Sequence, residues 1–201
     1  SVKENFESSH IPVIMLTAKS TVEDQIHGIE SGAEAYILKP FDAAYLRAVI
    51  TNILRQREII MKRFFNRGPM PEGIRITGKD EKFMSDVEKI IKEHYSDPEF
   101  NVEQLVELSN VGRTVFYNKI KGLTGIAPVV FLRNMRLKIA SGLIIESGYN
   151  ISEAGYMTGF NDIKYFSKCF KNYFGLTPSE FKNKYQQKSH NPDLKDTSEL
   201  N

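Results

Sequence analysis

The chain has 201 residues and a formal net charge of +2, with 41% hydrophobic and 26% charged residues. These values are typical of globular proteins and exclude a disordered or collagen-like chain. Apolar runs such as residues 11–16 are far short of the roughly 18 residues that a membrane-spanning helix needs. The single cysteine, Cys169, excludes an internal disulfide and a four-thiolate metal site. We therefore expect a cytoplasmic protein without membrane contact, and we predict neither a cofactor nor a metal.

The first part of the chain alternates between strand and helix patterns. Residues 11–16 have the length of a buried strand, residues 21–31 suit a helix, and residues 35–38 form a second short apolar run. Asp42 can cap a further helix, whose apolar residues share one face and which continues through residues 55–65. This order predicts an α/β segment.

Glycine and proline at positions 68–73 interrupt regular structure, which predicts a linker between two domains. From residue 83 onward the apolar residues recur with a helical period. The pairs Asn101/Gln104 and Thr177/Glu180 have the spacing of capping boxes. The predicted helices cover 83–94, 102–108, 113–121, 127–147, 152–157, 162–174 and a segment from 178, and the polar tail after 190 is predicted to be disordered.

Charge is distributed unevenly along this helical region. Residues 79–109 contain 4 Lys/Arg and 9 Asp/Glu, whereas residues 110–190 contain 12 Lys/Arg and 4 Asp/Glu. The second stretch has the electrostatics of an anion-binding surface. A solvated basic surface without a partner would have the same composition, so charge alone leaves both interpretations open.

Two pairs of short predicted helices are joined by glycine-containing turns, at residues 109–112 and 158–161, of the length that a helix-turn-helix motif needs. In the second helix of the first pair, Phe116 and Ile120 mark the core side. The candidate DNA-binding residues of this helix lie on its other side and at its start: Arg113, Thr114, Tyr117, Asn118 and Lys121.

The second helix of the second pair carries three lysines in a stripe at i, i+4 and i+7, opposite an aromatic core side marked by Phe166, Phe170 and Tyr173. A lysine stripe backed by an aromatic core suits a helix that lies in the major groove among phosphates. An ordinary amphipathic helix with a lysine-rich solvent face has the same pattern. Cys169 flanks the aromatic core and is interpreted as a packing residue rather than a nucleophile. The candidate DNA-binding residues are Asn161, Lys164, Ser167, Lys168 and Lys171.

The predicted helix 127–147 connects the two motifs and would be roughly 31 Å long at 1.5 Å per residue. One turn of B-DNA is about 34–36 Å, so a connector of this length predicts binding of double-stranded DNA through two successive major grooves. Arg133, Arg136 and Lys138 on the connector are candidates for phosphate contacts. Solubilising surface charge is the alternative for these three residues.

A long ordered set of residues in this region matches a known family: 116–121, 123–125, 136–140, 151–154, 159–160, 165–166, 170–171 and 174–178 (FYNKIK, LTG, RLKIA, ISEA, GF, YF, FK and FGLTP). With these runs, residues 80–185 resemble the AraC/XylS-type DNA-binding domain. The resemblance implies seven helices, two helix-turn-helix units and control of transcription. Three positions depart from the family: Gly112 stands where Ser usually caps a helix, Asn118 where Arg is common, and Ala127 in place of Ser before Pro128.

The runs LTA at 16–18 and GAEAYILKPF at 32–41 resemble the C-terminal part of a response-regulator receiver, which has a flavodoxin-like fold. The resemblance implies that Thr17 and Lys39 bind phosphoryl oxygens, that Tyr36 is the aromatic switch residue, and that Lys39–Pro40 is a cis bond. The acceptor aspartate and the acidic metal ligands of that family would precede Ser1, so we expect this chain not to accept phosphate.

Together these patterns predict a mainly α chain: a seven-helix domain with two helix-turn-helix units, preceded by an incomplete α/β receiver fragment. The predicted domains are 1–58, receiver fragment; 59–79, helical extension and linker; 80–188, AraC-type domain; and 189–201, polar tail. The resemblances identify the chain as similar to the C-terminal part of a hybrid two-component regulator, with a histidine kinase and any membrane anchor upstream and no enzyme in this chain.

The predicted function is sequence-specific DNA binding that regulates transcription as the output of a phosphorelay. A protein–protein interaction module of a signalling protein is the alternative. Strand 3 of the receiver fold is absent, so the strand at 11–16 would present an unpaired apolar edge. We therefore predict either a homodimer through residues 1–58 or poor order there. RNA polymerase is a further predicted partner.

Overall fold

A computed structural model describes residues 2–18, 21–66 and 78–190. The described residues form two strands and nine helices, in the order β1 (Ile14–Thr17), α1 (Val22–Glu30), β2 (Ala35–Leu38), α2 (Ala43–Asn66), α3 (Gly78–His94), α4 (Val102–Leu108), α5 (Arg113–Thr124), α6 (Pro128–Glu146), α7 (Ile151–Met157), α8 (Ile163–Phe174) and α9 (Pro178–His190). This order confirms the predicted fold class, a mainly helical chain that starts with a small α/β segment. The seven helices from α3 onward match the number that the family resemblance implies.

The two strands form a parallel pair whose register runs from Ile14 opposite Ala35 to Thr17 opposite Leu38. β1 begins three residues later than the predicted strand 11–16, since Pro12 has no N–H to donate to a ladder. Among the described residues the sheet has only these two strands, so one edge of β1 is unpaired there. The exposed fractions are 37% for Met15 and 42% for Leu16. The Lys39–Pro40 bond is cis, as the receiver resemblance implies.

The chain divides into two compact units, residues 1–90 with 105–131 and residues 91–104 with 132–201. The domain boundaries drawn from the sequence stay predictions. The predicted linker at 68–73 and the tail from residue 191 lie outside the described residues.

In the first unit, α3 and α5 share an aromatic and aliphatic core. Phe83 and Phe116 meet edge to face with their ring centres 5.6 Å apart, a favoured geometry for aromatic pairs. Val87, Phe116 and Ile120 are completely buried. The periodicity of apolar residues therefore placed the core faces of both helices correctly.

A charged pair lies inside this unit. Lys119 of α5 is 0% exposed and Asp80 of α3 is 1% exposed, and the Lys119 ammonium donates to the Asp80 carboxylate. It also donates to Ser9 Oγ at 2.9 Å and to the Phe6 carbonyl oxygen at 2.7 Å. The Phe6 ring centre is 4.3 Å from the same nitrogen. The segment before β1 thus contributes directly to holding α3 and α5 together, because it satisfies donors that would otherwise be buried without acceptors.

The core of the second unit is largely aromatic. Phe170 of α8 contacts three other rings, with centre distances of 5.6 Å to Phe166, 4.4 Å to Phe174 and 5.2 Å to Phe181. Aliphatic residues of α6 complete this core, among them Leu137 and Ile144. Cys169 is buried in the same cluster, which agrees with its interpretation as a packing residue.

Both predicted capping boxes are present. In the first, Gln104 N–H donates to Asn101 Oδ1 and Asn101 N–H donates to Gln104 Oε1. In the second, Thr177 N–H and its hydroxyl donate to Glu180. The Thr177 backbone hydrogen bond is the main cause that lowers the pKa of Glu180, followed by the Thr177 hydroxyl and, weakly, by the charge of Lys171.

The start of α5 lacks such a cap. Gly112 precedes the helix with φ −55° and ψ 139°, and no side chain caps the first turn. We expect Gly112→Ser to raise the free energy of unfolding by about 1 kcal/mol, because its hydroxyl would accept from a first-turn N–H and the unfolded chain would lose freedom. A Cβ at this position has no atom within 4 Å, so nothing obstructs the side chain.

Urea denaturation measures this difference, with Gly112→Ala as the matched control. Alanine restricts the unfolded chain as serine does but offers no acceptor to α5. If the serine variant were no more stable than the alanine variant, the missing cap would have no energetic consequence.

Candidate nucleic-acid interface

The first helix-turn-helix unit consists of α4 and α5 joined by residues 109–112. Ser109 N–H donates to the Leu105 carbonyl oxygen at 3.1 Å, and Val111 N–H donates to Ser109 Oγ at 3.3 Å. Asn110 has a φ of 53°, a left-handed conformation that asparagine tolerates better than most residues. Local hydrogen bonds and this one residue therefore produce the sharp change of direction before α5.

The side chains of α5 divide as the sequence predicts. Phe116 and Ile120 are buried, and four of the five candidate DNA-binding residues are exposed: Arg113, Thr114, Asn118 and Lys121. The fifth, Tyr117, is half-buried, with the Arg113 guanidinium carbon 5.1 Å from its ring centre. This face offers cationic and hydrogen-bonding groups to solvent, and its role in DNA binding stays a prediction.

The second helix-turn-helix unit consists of α7 and α8. Asn150 and Glu153 form a capping box at the start of α7, and Asp162 Oδ1 accepts from the N–H groups of Lys164 and Tyr165 at 2.7 and 3.0 Å. Gly155 allows α8 to approach α7 closely, since a Cβ there would lie 2.8 Å from Ile163 Cδ1. The start of α8 is therefore fixed both by its cap and by packing against α7.

The exposed face of α8 carries the predicted lysine stripe. Lys164, Lys168 and Lys171 are exposed, as is Asn161 before the helix, and Ser167 is half-buried. Within the described part of the chain, Lys164 and Lys168 form no ion pair. The opposite face is anchored by Phe166 and Phe170, both 0% exposed. Lys164 and Lys168 thus present positive charge without an ion-pair partner among the described residues, whereas the charge of Lys171 also acts on the Glu180 carboxylate.

Tyr173 lies at the edge of this core and is half-buried. Burial raises the pKa of its hydroxyl to about 12. The hydroxyl therefore stays protonated at neutral pH, and the side chain adds no negative charge beside the lysines.

The two candidate arginines of α6 have different surroundings. Arg133 is half-buried, and its Nη1 donates to the hydroxyl of Tyr165 at 3.4 Å. Tyr165 on α8 is 50% exposed and was not among the sequence candidates, although it belongs to the matched run at 165–166. The helical spacing of Tyr165 relative to the buried Phe166 and Phe170 could have placed it on the exposed part of α8 from the sequence alone.

Arg136 is also half-buried, and its Nη2 donates to the carbonyl oxygens of Asp97 at 2.6 Å and Phe100 at 3.0 Å. Burial lowers the pKa of its guanidinium, and the nearby Asp97 carboxylate opposes this effect. The group remains charged at neutral pH, since arginine titrates far above it. Its predicted phosphate contact is not tested by these hydrogen bonds and stays a prediction.

The candidate receiver residues lie around the carboxyl ends of the two strands. Thr17 ends β1, and Lys39 follows β2 and donates its backbone N–H to the Thr17 carbonyl oxygen at 2.7 Å. The Lys39 side chain is exposed. Tyr36 is half-buried against Gly28, where a Cβ would lie 2.5 Å from the tyrosine Cδ2. The backbone arrangement brings Thr17 and Lys39 together, and their phosphoryl-binding role stays a prediction.

Among the described residues, no group of three or more His, Cys, Asp or Glu side chains is placed to hold a metal ion. No helix among those residues combines the length and the apolar character needed to cross a bilayer.

Two family models match the chain. A helix-turn-helix domain matches residues 105–184, and a response regulator receiver domain matches residues 3–51. The first match begins within α4 and includes α5 to α8, and the second includes β1, α1 and β2. Both matches agree with the resemblances drawn from the sequence, an AraC-type helix-turn-helix domain that follows a receiver segment.

Among curated relatives, a histidine kinase named P4 from Formosa agariphila is 38% identical over 187 residues, which cover 92% of this chain and 14% of that protein. The Msm operon regulatory protein of Streptococcus mutans is 30% identical over 104 residues, covering 52% of this chain and 37% of that protein. The chain therefore spans well under half the length of these relatives.

Two solved structures each align with part of this chain. The C-terminal domain of AraT, a response regulator from Geobacillus stearothermophilus, aligns with a TM-score of 0.45 and 24% identity over 58% of this chain and 93% of that chain. The DNA-binding domain of AdpA, a global transcriptional factor in complex with a target DNA, aligns with a TM-score of 0.47 and 26% identity over 54% of this chain and 96% of that chain.

Proposed function

We propose that this chain, which carries an AraC-type helix-turn-helix domain behind a response-regulator receiver segment, regulates transcription by binding specific sequences of duplex DNA. Its place would be the output end of a two-component system, as the names of its relatives suggest: one is a histidine kinase and another an operon regulatory protein. The kinase belongs to that relative, and this chain would act downstream of such an activity.

The observation that supports this proposal most strongly is the face of α8. Three exposed lysines stand on a helix whose other side is locked by buried aromatic rings, and the helix is the second of a helix-turn-helix pair. A helix that is anchored by its core face and carries exposed cations, two of them (Lys164 and Lys168) without an ion-pair partner among the described residues, suits docking into the major groove. Phosphate contacts by lysine supply affinity, and contacts to base edges supply specificity.

We propose further that α5 and α8 enter successive major grooves. Their connector, α6, has 19 residues and is about 28 Å long at 1.5 Å per residue, which is near the 34–36 Å of one DNA turn. In this proposal the base-reading candidates are Thr114, Asn118 and Asn161, since asparagine can pair with adenine in the major groove.

Lys168→Ala tests the proposed use of the lysine stripe. We expect weaker binding to duplex DNA and a salt slope, log K against log salt concentration, that is smaller by about 1, because one phosphate contact releases about one counterion. The melting temperature of the variant should stay nearly unchanged, since the Lys168 side chain is exposed.

The matched control is Lys89→Ala. Lys89 is an exposed lysine on α3 within the acidic stretch 79–109, so its removal should leave both the affinity and the slope at wild-type values. If Lys168→Ala and Lys89→Ala behaved alike, the lysine stripe of α8 would have no part in DNA binding.

We propose that residues 1–58 also carry a self-association surface. β1 has one unpaired edge among the described residues, and Met15 and Leu16 are partly exposed on it. Such an edge favours strand pairing with a second copy. Analytical ultracentrifugation of the whole chain, compared with a Leu16→Lys variant, tests this dimer.

Contact with RNA polymerase is proposed only as a consequence of transcriptional control.

A further inference from the structure

Arg136 of α6 binds the loop between α3 and α4, which lies in the same compact unit. Its Nη2 donates to two backbone carbonyls of this loop, those of Asp97 and Phe100, at 2.6 and 3.0 Å. Phe100 is itself 3% exposed and stacks on His94 with the ring centres 5.0 Å apart. The guanidinium is therefore anchored to a loop whose own position is fixed by packing.

The turn of the second helix-turn-helix unit lies against the same guanidinium. Gly159 has a φ of +77°, and a Cβ there would lie 3.0 Å from Arg136 Cζ and 2.7 Å from the Tyr95 carbonyl oxygen. Glycine meets both requirements of this position, the left-handed backbone and the close approach. The backbone of the turn thus contacts Arg136 and the α3–α4 loop at once.

The position of this turn is transmitted to α8 within a few residues. Phe160 N–H donates to the Gly155 carbonyl oxygen at 3.1 Å, and the Phe160 ring is 6% exposed, 5.0 Å from the ring centre of Phe166. Asp162 then caps the first turn of α8. A displacement at Gly159 would therefore change the direction in which α8 leaves the turn.

We propose that Arg136 is a positioning residue: it fixes the turn at residues 158–161 against the α3–α4 loop and so sets the orientation of α8 on DNA. The functional half of this proposal rests on the proposed DNA binding. Both bonds leave one nitrogen, Nη2, and the planar guanidinium that carries it packs against Gly159. The position therefore requires the reach and the flat shape of this group, whereas a phosphate contact would require only a positive charge.

The experiment compares Arg136→Lys and Arg136→Met with the wild-type chain. Lysine keeps the charge, but its ammonium is one bond nearer to the backbone than Nη2 and lacks the planar group that packs against Gly159. Methionine keeps a long stem without any donor. We expect both variants to bind duplex DNA about tenfold more weakly, with the salt slope unchanged. Lys168→Ala is the reference for a residue whose removal does lower the slope.

Amide hydrogen exchange of the free protein measures the turn itself. In both variants we expect faster exchange at Gly159 and Phe160, whose N–H groups donate to the carbonyls of Tyr156 and Gly155. Amides of α5 in the other unit should keep their wild-type protection. Equal loss of protection throughout α6–α9 would indicate general destabilisation and would overturn the positioning role.

Two binding results would also overturn the proposal. One is rescue of affinity by Arg136→Lys together with a slope smaller by about 1 in Arg136→Met, which is the behaviour of a phosphate contact. The other is wild-type affinity in both variants. If the wild-type chain itself failed to bind DNA, the proposed function would fail, and exchange at Gly159 and Phe160 would still decide whether Arg136 fixes the turn.

Discussion

Lys119→Met is expected to lower the free energy of unfolding by about 3–5 kcal/mol, because it leaves the Asp80 carboxylate buried without its cationic partner. Lys119 is 0% exposed and Asp80 1% exposed, so water cannot replace the lost contact. The substitution also removes the donors to Ser9 and Phe6. Urea denaturation followed by circular dichroism measures the loss.

The matched control is Lys82→Met, which breaks the Lys82–Asp86 pair on the surface of α3, where the two side chains are 77% and 57% exposed. An exposed pair of this kind contributes less than about 1 kcal/mol. The double variant Asp80→Leu/Lys119→Met should be more stable than Lys119→Met alone, since an apolar pair leaves no buried charge. Equal losses for Lys119→Met and Lys82→Met would show that the buried pair does not hold α3 and α5 together.

Phe170→Ala is expected to lower the free energy of unfolding by about 3–5 kcal/mol, the usual cost of a large cavity in an aromatic core. Phe170 is 0% exposed and contacts the rings of Phe166, Phe174 and Phe181. The loss should appear as a lower urea midpoint with an unchanged m-value.

Lys168→Ala, two residues away on the exposed face of the same helix, is the control for this stability effect. It should unfold at nearly the wild-type urea concentration, although it binds DNA more weakly. If Phe170→Ala unfolded at the same urea concentration as Lys168→Ala, the division of α8 into a core face and a binding face would be wrong.

The buried and exposed faces of α5 and α8 could be predicted from the sequence because burial follows apolar periodicity. Phe116 and Ile120 on α5, like Phe166 and Phe170 on α8, are four residues apart, and all four are completely buried. Two capping boxes were equally visible, since each depends on two residues three positions apart. A third, Asn150 with Glu153, has the same spacing, and its cap starts α7 at Ile151, one residue before the predicted helix 152–157.

Lys119 was not predicted, although its spacing from Phe116 and Leu123 places it on the core side of α5. A lysine side chain is expected to be exposed to solvent unless a partner for its charge can be identified. The partners of Lys119 are distant in the sequence. Ser9 lies 110 residues away and Asp80 lies 39 residues away. Only the folded chain brings the three together, so a local pattern contains no sign of the pair.

Arg136 illustrates a second limit of sequence interpretation. Its charge and its place on the connector predict a phosphate contact, which stays a prediction, but they gave no indication of its hydrogen bonds to the backbone carbonyls of Asp97 and Phe100. Every residue has a backbone carbonyl oxygen that can accept a hydrogen bond. The amino-acid pattern therefore cannot indicate which carbonyls Arg136 contacts. The cis Lys39–Pro40 bond was predictable in another way. Its expectation came from the resemblance to the receiver family and not from a local pattern of residues.

Duplex DNA binding as a function of salt concentration tests the central proposal most directly. With mixed-sequence duplex DNA as the probe, the wild-type chain should bind with a log–log slope of roughly −4 to −7, because its two basic helix-turn-helix units would release about 4–8 counterions. A slope near zero, or no binding at low salt, would contradict the proposal that this chain binds DNA.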